Sequence, residues 1–382
     1  MHVLGHLSIE EFLRDYWQKK PVLIRQAIPE FQALLAADEL AGLSLEDDIE
    51  SRLIIEEGNN GPWEVRKGPF NEDDYRSLPD NKWTLLVQAV DHWIPEAAEL
   101  LEHFRFIPSW RIDDLMISYA VDGGSVGPHY DQYDVFLLQA EGQREWRIGQ
   151  MCSETTPLLQ GPSVRILADF AETDRWVLEP GDMLYLPPGL AHWGISQGEC
   201  MTYSIGFRAP SVAELLEQAM DDLHPQLTPD QRYRDADLSL NQQHGEIDAD
   251  AIARCQALLT QALSNPTIAA NVLGGLMTAA KYPEQAPEFH HDEAPSVSVD
   301  ALEEADIWQR HPMSRLAYHT TPLTLFCQGE SLHLPEEDID VVSTLCNQSQ
   351  YCASELRHLC ESKSATRLIE QLISQDILIP VD

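Results

Sequence analysis

Two histidine-bearing segments that lie far apart in this chain limit its fold more than any other feature. The first, Gly127-Pro128-His129-Tyr130-Asp131, ends an apolar, β-type run from Leu115 to Val121 that Gly123, Gly124, Gly127 and Pro128 break. The second, His192, comes 63 residues after His129, behind a strand-like Gly181–Leu186 and a Pro187-Pro188-Gly189 turn. Between them, Asp134–Gln139 reads as a strand, Ala140–Gln143 as a turn, and Arg144–Ile148 as the strand that completes a hairpin. Side chains so far apart can meet around one ion if distant strands become neighbours, as they do in an antiparallel barrel.

The short motif proves little by itself. With 14 His and 63 acidic residues, about two His-x-(Asp/Glu) pairs arise by chance, and the chain has four. His244/Glu246 lies in a polar loop, and His290/Asp292 and His291/Glu293 share an acidic, proline-containing tract; all three read as solvated. His129 and Asp131 differ because they sit where a strand gives way to a loop, with His192 opening a strand of its own. Two imidazoles and a carboxylate on one face of an ion leave three positions open, the pattern of non-haem Fe(II) oxygenases. Zinc takes the same ligand types, but the helical His-Glu-x-x-His arrangement of many zinc hydrolases is absent. Iron oxygenase chemistry adds a chelating co-substrate, usually 2-oxoglutarate, whose far carboxylate needs a fixed cation. Arg144 opens a strand that can point into the same barrel, and its planar fork suits a carboxylate. Ser118, one strand over, offers a hydroxyl. The loop Asp122–Gly127 lacks the Lys-Ser/Thr and following helix of a phosphate loop.

These segments, with Trp146-Arg147-Ile148-Gly149, Glu179-Pro180-Gly181-Asp182, the N-terminal run Phe12–Arg25 and Tyr203–Pro210, resemble the JmjC-type ribosomal oxygenases. The resemblance is greatest to the bacterial branch, which hydroxylates an arginine of a large-subunit ribosomal protein. It implies a double-stranded β-helix (JmjC/cupin-like) barrel in a mixed α/β multidomain chain. It makes His129, Asp131 and His192 the Fe(II) ligands, and Arg144, with Ser118 as a second partner, the 2-oxoglutarate anchor. O2 is the other co-substrate, and no catalytic residue is expected beyond the metal ligands. Histidyl hydroxylation and N-methyl demethylation would use the same residues, and a cupin-like protein-binding scaffold is the alternative outside enzymes.

A net charge of −38 argues against free nucleic acid or an anionic membrane as partner and favours a basic protein. Seven scattered Cys without a Cys-x-x-Cys suggest reduced thiols in a cytoplasm. No signal peptide and no transmembrane helix is expected.

Ser8–Glu11 has the form of a capping box opening a helix to Tyr16 or Trp17, followed by a strand Val22–Ile24. Phe31–Leu43 and Asp91–Phe104 have helical period; Ser51–Ile55 and Trp83–Val87 look like strands. The catalytic domain is therefore placed at residues 1–210. Ser211–Glu214 is another capping box. Residues 211–281 then carry apolar stripes (Leu215, Leu216, Ala219; Ile252, Cys255, Leu259) that fit a helical homodimerisation module, which the resemblance also implies. Residues 282–300 read as a linker and 301–382 as a winged-helix-like domain. With 14 acidic and 5 basic residues from Asp300 to Asp382, that domain lacks the basic face needed to bind DNA.

Overall fold

The computed structural model describes every residue except 1, 2, 59, 60, 241, 242, 244, 304, 305 and 382, so His244 lies outside the described residues. The chain divides into two units, Met1–Ala209 and Pro210–Asp382. In the first, α1 (Ile9–Asp15) starts at Ser8, whose hydroxyl accepts the Glu11 amide. β1 (Val22–Ile24), α2 (Ala37–Leu43), β2 (Ser51–Gly58), β3 (Gly61–Lys67), α3 (Glu72–Arg76), β4 (Trp83–Val87) and α4 (Pro95–Glu102) follow. Then come β5 (Ile112–Ala120), β6 (Val135–Met151), β7 (Asp174–Leu178), β8 (Met183–Leu186) and β9 (Leu190–Phe207). All nine strands join one antiparallel sheet in the order β1-β8-β6-β9-β5-β4-β2-β3, with β7 paired on β6. This is the JmjC/cupin-like antiparallel architecture.

Strand alternation divides the side chains between two cores. Phe136 and Leu138 of β6 face outward onto the helices, where they join Phe12, Tyr185 and Phe207. Val135 and Leu137 face the other way, with Trp146, Ile148, Leu184, Leu186 and Leu190. Phe12 meets Tyr185 edge-on at 4.9 Å, which seats α1 on the barrel wall. Buried Asp134 strengthens that joint by accepting from Tyr185 (2.6 Å), Gln18 (2.9 Å) and Arg111 (3.4 Å).

Three local expectations need correction. Ala140–Gln143 is not a turn: β6 runs unbroken for 17 residues, and its register against β9 slips twice between Gln139 and Gln143. Gly142 makes this possible at φ +61°, since a Cβ there would lie 2.1 Å from the Glu199 carbonyl oxygen. Before the bulge β6 pairs with β8 and after it with β7, so the bulge turns a barrel corner without ending the strand. The helix expected at Phe31–Leu43 covers only its second half. Phe31 packs on Tyr203, whose hydroxyl accepts the Leu34 amide at 2.8 Å, and this tertiary anchor holds the first half irregular. The helix expected at Asp91–Phe104 starts only at Pro95, which fits a first helical position but not an interior one. The edge strand β3, which carries Pro62, was not foreseen.

In the second unit, α5 (Val212–Leu223) has the Ser211/Glu214 capping box, and α6 (Ala249–Leu263) and α7 (Pro266–Thr278) follow. Leu223 and Ala219 of α5 bury against Ile268 and Val272 of α7. Beyond lie β10 (Ile307–Arg310), β11 (Leu316–Thr320), β12 (Leu323–Cys327), β13 (Glu330–His333), α8 (Ile339–Asn347), β14 (Gln350–Cys352), α9 (Ala353–His358), α10 (Lys363–Ser374) and β15 (Leu378–Pro380). They form two three-stranded sheets around one core, a winged-helix domain. Of these strands, β11 and β14 were not foreseen. The segment before them is irregular but fastened: Gln371 donates to the His291 and Glu293 carbonyls, and Ser374 accepts the Ser296 and Val297 amides. All seven cysteines are free thiols. Among the described residues, no helix is long and apolar enough to cross a membrane.

Candidate functional site

The loop that leaves β5 and the start of β9 lie side by side. His129 and His192 exchange both backbone hydrogen bonds, at 3.0 and 2.8 Å, so the sheet register itself sets their imidazoles 4.2 Å apart. Asp131 is held two residues on, its carbonyl accepting the Gly189 amide of the Pro-Pro-Gly turn at 2.7 Å. The nearest carboxylate oxygen lies 3.6 Å from His192 Nε2 and 4.0 Å from His129 Nε2. One ligand atom from each of the three lies within 4.8 Å of the others.

Both rings are oriented from behind. His129 Nδ1 meets the Gly127 carbonyl at 2.9 Å and His192 Nδ1 meets the Leu190 carbonyl at 3.0 Å. A carbonyl can only accept, so each Nδ1 carries the proton and each Nε2 lone pair faces the cluster. Burial, and then the neighbouring His129, push the His192 pKa down to about 4; the Asp131 carboxylate and the Leu190 carbonyl oppose them. His192 is therefore neutral near pH 7, the form in which imidazole binds a metal. Two imidazoles that present Nε2 and one carboxylate fit a divalent ion.

Deeper in the barrel, Arg144 is 2% exposed. Its Nη1 donates to Ser118 Oγ (3.2 Å) and Thr202 Oγ1 (3.5 Å), and its Nε is buried with no partner. Among the described residues it makes no ion pair with a carboxylate, and burial depresses its pKa. A buried cation held only by hydroxyls is expensive unless an anion joins it, so the donor set fits a bound carboxylate. Register explains the polar cluster: Ser118 of β5 and Gln139 of β6 both stand opposite Thr202 of β9. Arg144 reaches it from beyond the bulge, leaning over the Trp146 ring at 5.2 Å and across Gly194, where a Cβ would lie 2.7 Å from its Nε.

The sequence reading placed all five residues in one barrel, and the structure brings His129, Asp131 and His192 together as one cluster and Arg144 with Ser118 as another. It missed Thr202 and Gly194, which carry no local signal and which only strand register identifies, and it gave Trp146 as part of a family motif without a role at the site. Three acids near the start of the barrel, Asp113, Asp114 and Asp122, are engaged within the fold and not free to meet a cationic substrate. Asp113 binds Arg208 at 2.9 Å, Asp114 accepts from Gln88 and the Ala89 amide, and Asp122 accepts the Gly198 amide.

Comparison with known proteins agrees with this geometry. Residues 99–215 match the JmjC domain model, 170–263 an AraC-like ligand binding domain and 257–379 a ROXA-like winged helix. The chain is 34% identical to a probable ribosomal oxygenase of Haemophilus influenzae, over 86% of this chain and 82% of that one. It is 34% identical to the ribosomal protein uL16 3-hydroxylase of Escherichia coli, over 80% of each. A solved structure of YcfD, a ribosomal oxygenase from Escherichia coli, in complex with cobalt and 2-oxoglutarate superposes with a TM-score of 0.82 at 30% identity, over 99% of both chains.

Proposed function

This chain belongs to the JmjC-domain ribosomal oxygenases, and we propose that within that family it hydroxylates an arginine side chain of a large-subunit ribosomal protein. It is a 2-oxoglutarate-dependent dioxygenase that uses Fe(II), 2-oxoglutarate and O2. The observation that carries the site assignment is the buried guanidinium of Arg144, unpaired by any carboxylate among the described residues, in the same barrel as a two-His, one-Asp cluster.

In this reading His129, Asp131 and His192 hold the iron from one side. Arg144, seconded by Ser118 and Thr202, takes the far carboxylate of the co-substrate. When bound, the metal with 2-oxoglutarate and O2 supplies hydroxylation of an unactivated C–H bond, with succinate and CO2 as the other products. The Gly127 and Leu190 carbonyls keep both Nε2 lone pairs on the metal side. Trp146, Ile148, Leu184, Leu186 and Leu190 make an apolar wall that keeps water from the bound co-substrate.

An arginine target rests on the similarity to the uL16 hydroxylase and on charge, since a chain of net −38 draws in a basic partner. Such a substrate places the enzyme in the cytoplasm. The chain also works as a homodimer in this reading. Its support is exposed apolar residues on both helices, Leu216 of α5 at 48% and Leu259 of α6 at 61%. Mass spectrometry of ribosomal proteins from cells with and without the gene tests the activity. One added oxygen on an arginine, present only with the gene, is expected. Oxygen on a histidine, or loss of a methyl group from a lysine or arginine, would replace this reading with another.

A further inference from the structure

The loop from Asp122 to His129 is no strand, yet it is fastened along β9. Asp122 Oδ1 accepts the Gly198 amide, Gly123 donates to the Ser196 carbonyl, and Gly124 accepts from the Ser196 amide. At the far end, His129 and His192 exchange backbone bonds. Between these points residues 125–128 face only 193–195, one residue fewer, and make no backbone bond to β9 across the gap. One side-chain bond spans it: Trp193 Nε1 donates to Ser125 Oγ at 2.9 Å. The same hydroxyl accepts the Gly127 amide at 3.0 Å, and the Gly127 carbonyl takes the His129 Nδ1 proton.

Ser125 is 1% exposed, so water cannot replace these partners. Trp193 is fixed in turn, with the Arg147 guanidinium 5.1 Å above its ring and Phe170 edge-on at 6.0 Å. From these contacts we infer that Ser125 and Trp193 form a latch, a pair of positioning residues that sets the His129 imidazole relative to His192. Neither touches the metal site. They act through the Gly127 peptide, which orients the ring of one ligand, and through the strand that carries the other. This inference rests on the metal-site reading above.

Co(II) titration of the full chain, followed by its visible d–d bands, tests it. Ser125→Ala and Trp193→Phe should each weaken Co(II) binding about tenfold, as loss of an outer partner of a metal ligand does, and alter the band shape. Because both variants break the Trp193–Ser125 bond and Ser125→Ala also breaks the bond from Gly127, the double variant should bind about as Ser125→Ala alone does. Trp193 is only half buried, so Trp193→Phe decides the matter should Ser125→Ala fail to fold. Parent-like affinity and spectrum in the variants, or losses that multiply in the double variant, overturn the latch alone. A parent chain that takes up no Co(II) overturns the metal reading and the latch with it.

Discussion

Arg144 Nη1 lies 3.2 Å from Ser118 Oγ, and among the described residues its guanidinium has no carboxylate partner although the side chain is almost wholly buried. Burying a charge in this way destabilises the empty protein, and an incoming carboxylate recovers that loss. Arg144→Met should therefore separate stability from function. The ligand-free variant should gain roughly 1–3 kcal/mol in urea unfolding, while 2-oxoglutarate binding falls by about thirtyfold or more. A variant that loses stability and keeps its affinity would remove Arg144 from the site.

Metal should stabilise the fold through Asp131. At a Co(II) concentration of about 100 times Kd, the parent gains roughly 2.7 kcal/mol, seen as a rise in Tm. Asp131→Asn, which removes the charged ligand and little volume, should show no such rise. Chelator treatment of the loaded parent should return it to the melting curve of the variant.

Gly142 is the hinge of the bulge. Gly142→Ala forces φ +61° on a residue with a Cβ and drives that atom into the Glu199 carbonyl. A loss of about 2–4 kcal/mol in urea unfolding is expected. Gly198, with open space at its Cβ, shares the positive φ without the clash. Gly198→Ala should therefore cost less.

The exposed apolar residues of α5 and of α6 predict self-association. Sedimentation velocity should find the parent as a dimer and Leu216→Glu/Leu259→Glu as a monomer with an unchanged far-ultraviolet spectrum. Monomeric parent protein at micromolar concentration would end the dimer reading.

His311 predicts a pH effect in the second unit. Burial lowers its pKa, and its Nδ1 accepts the Met313 amide at 3.2 Å, which requires an unprotonated nitrogen. The unfolded chain takes up a proton near pH 6.5, while the folded chain resists until lower pH. Stability is thus full above about 6.5 and declines as pH falls from there toward the folded pKa. His311→Asn should flatten that slope in urea unfolding measured from pH 7.5 to 5.

Motif chemistry and turn residues were enough to mark His129, Asp131, His192 and Arg144 and to predict a barrel, because glycine, proline and metal-ligand types announce themselves locally. Strand limits at Trp83–Val87, Ile307–Arg310 and Leu323–Cys327 were also readable from apolar runs between breakers. What sequence order could not supply was adjacency. The Ala140–Gln143 stretch has turn composition, and only the pairing of Glu141 with Met201 and of Gln143 with Gln197 across the sheet makes it a bulge inside one strand. Thr202, Gly194 and the Ser125–Trp193 bond were likewise silent, since their roles come from register between segments far apart in the chain. Local composition determines which backbone conformations are open to each segment; which partner fills each hydrogen bond is a long-range choice, settled when the barrel closes.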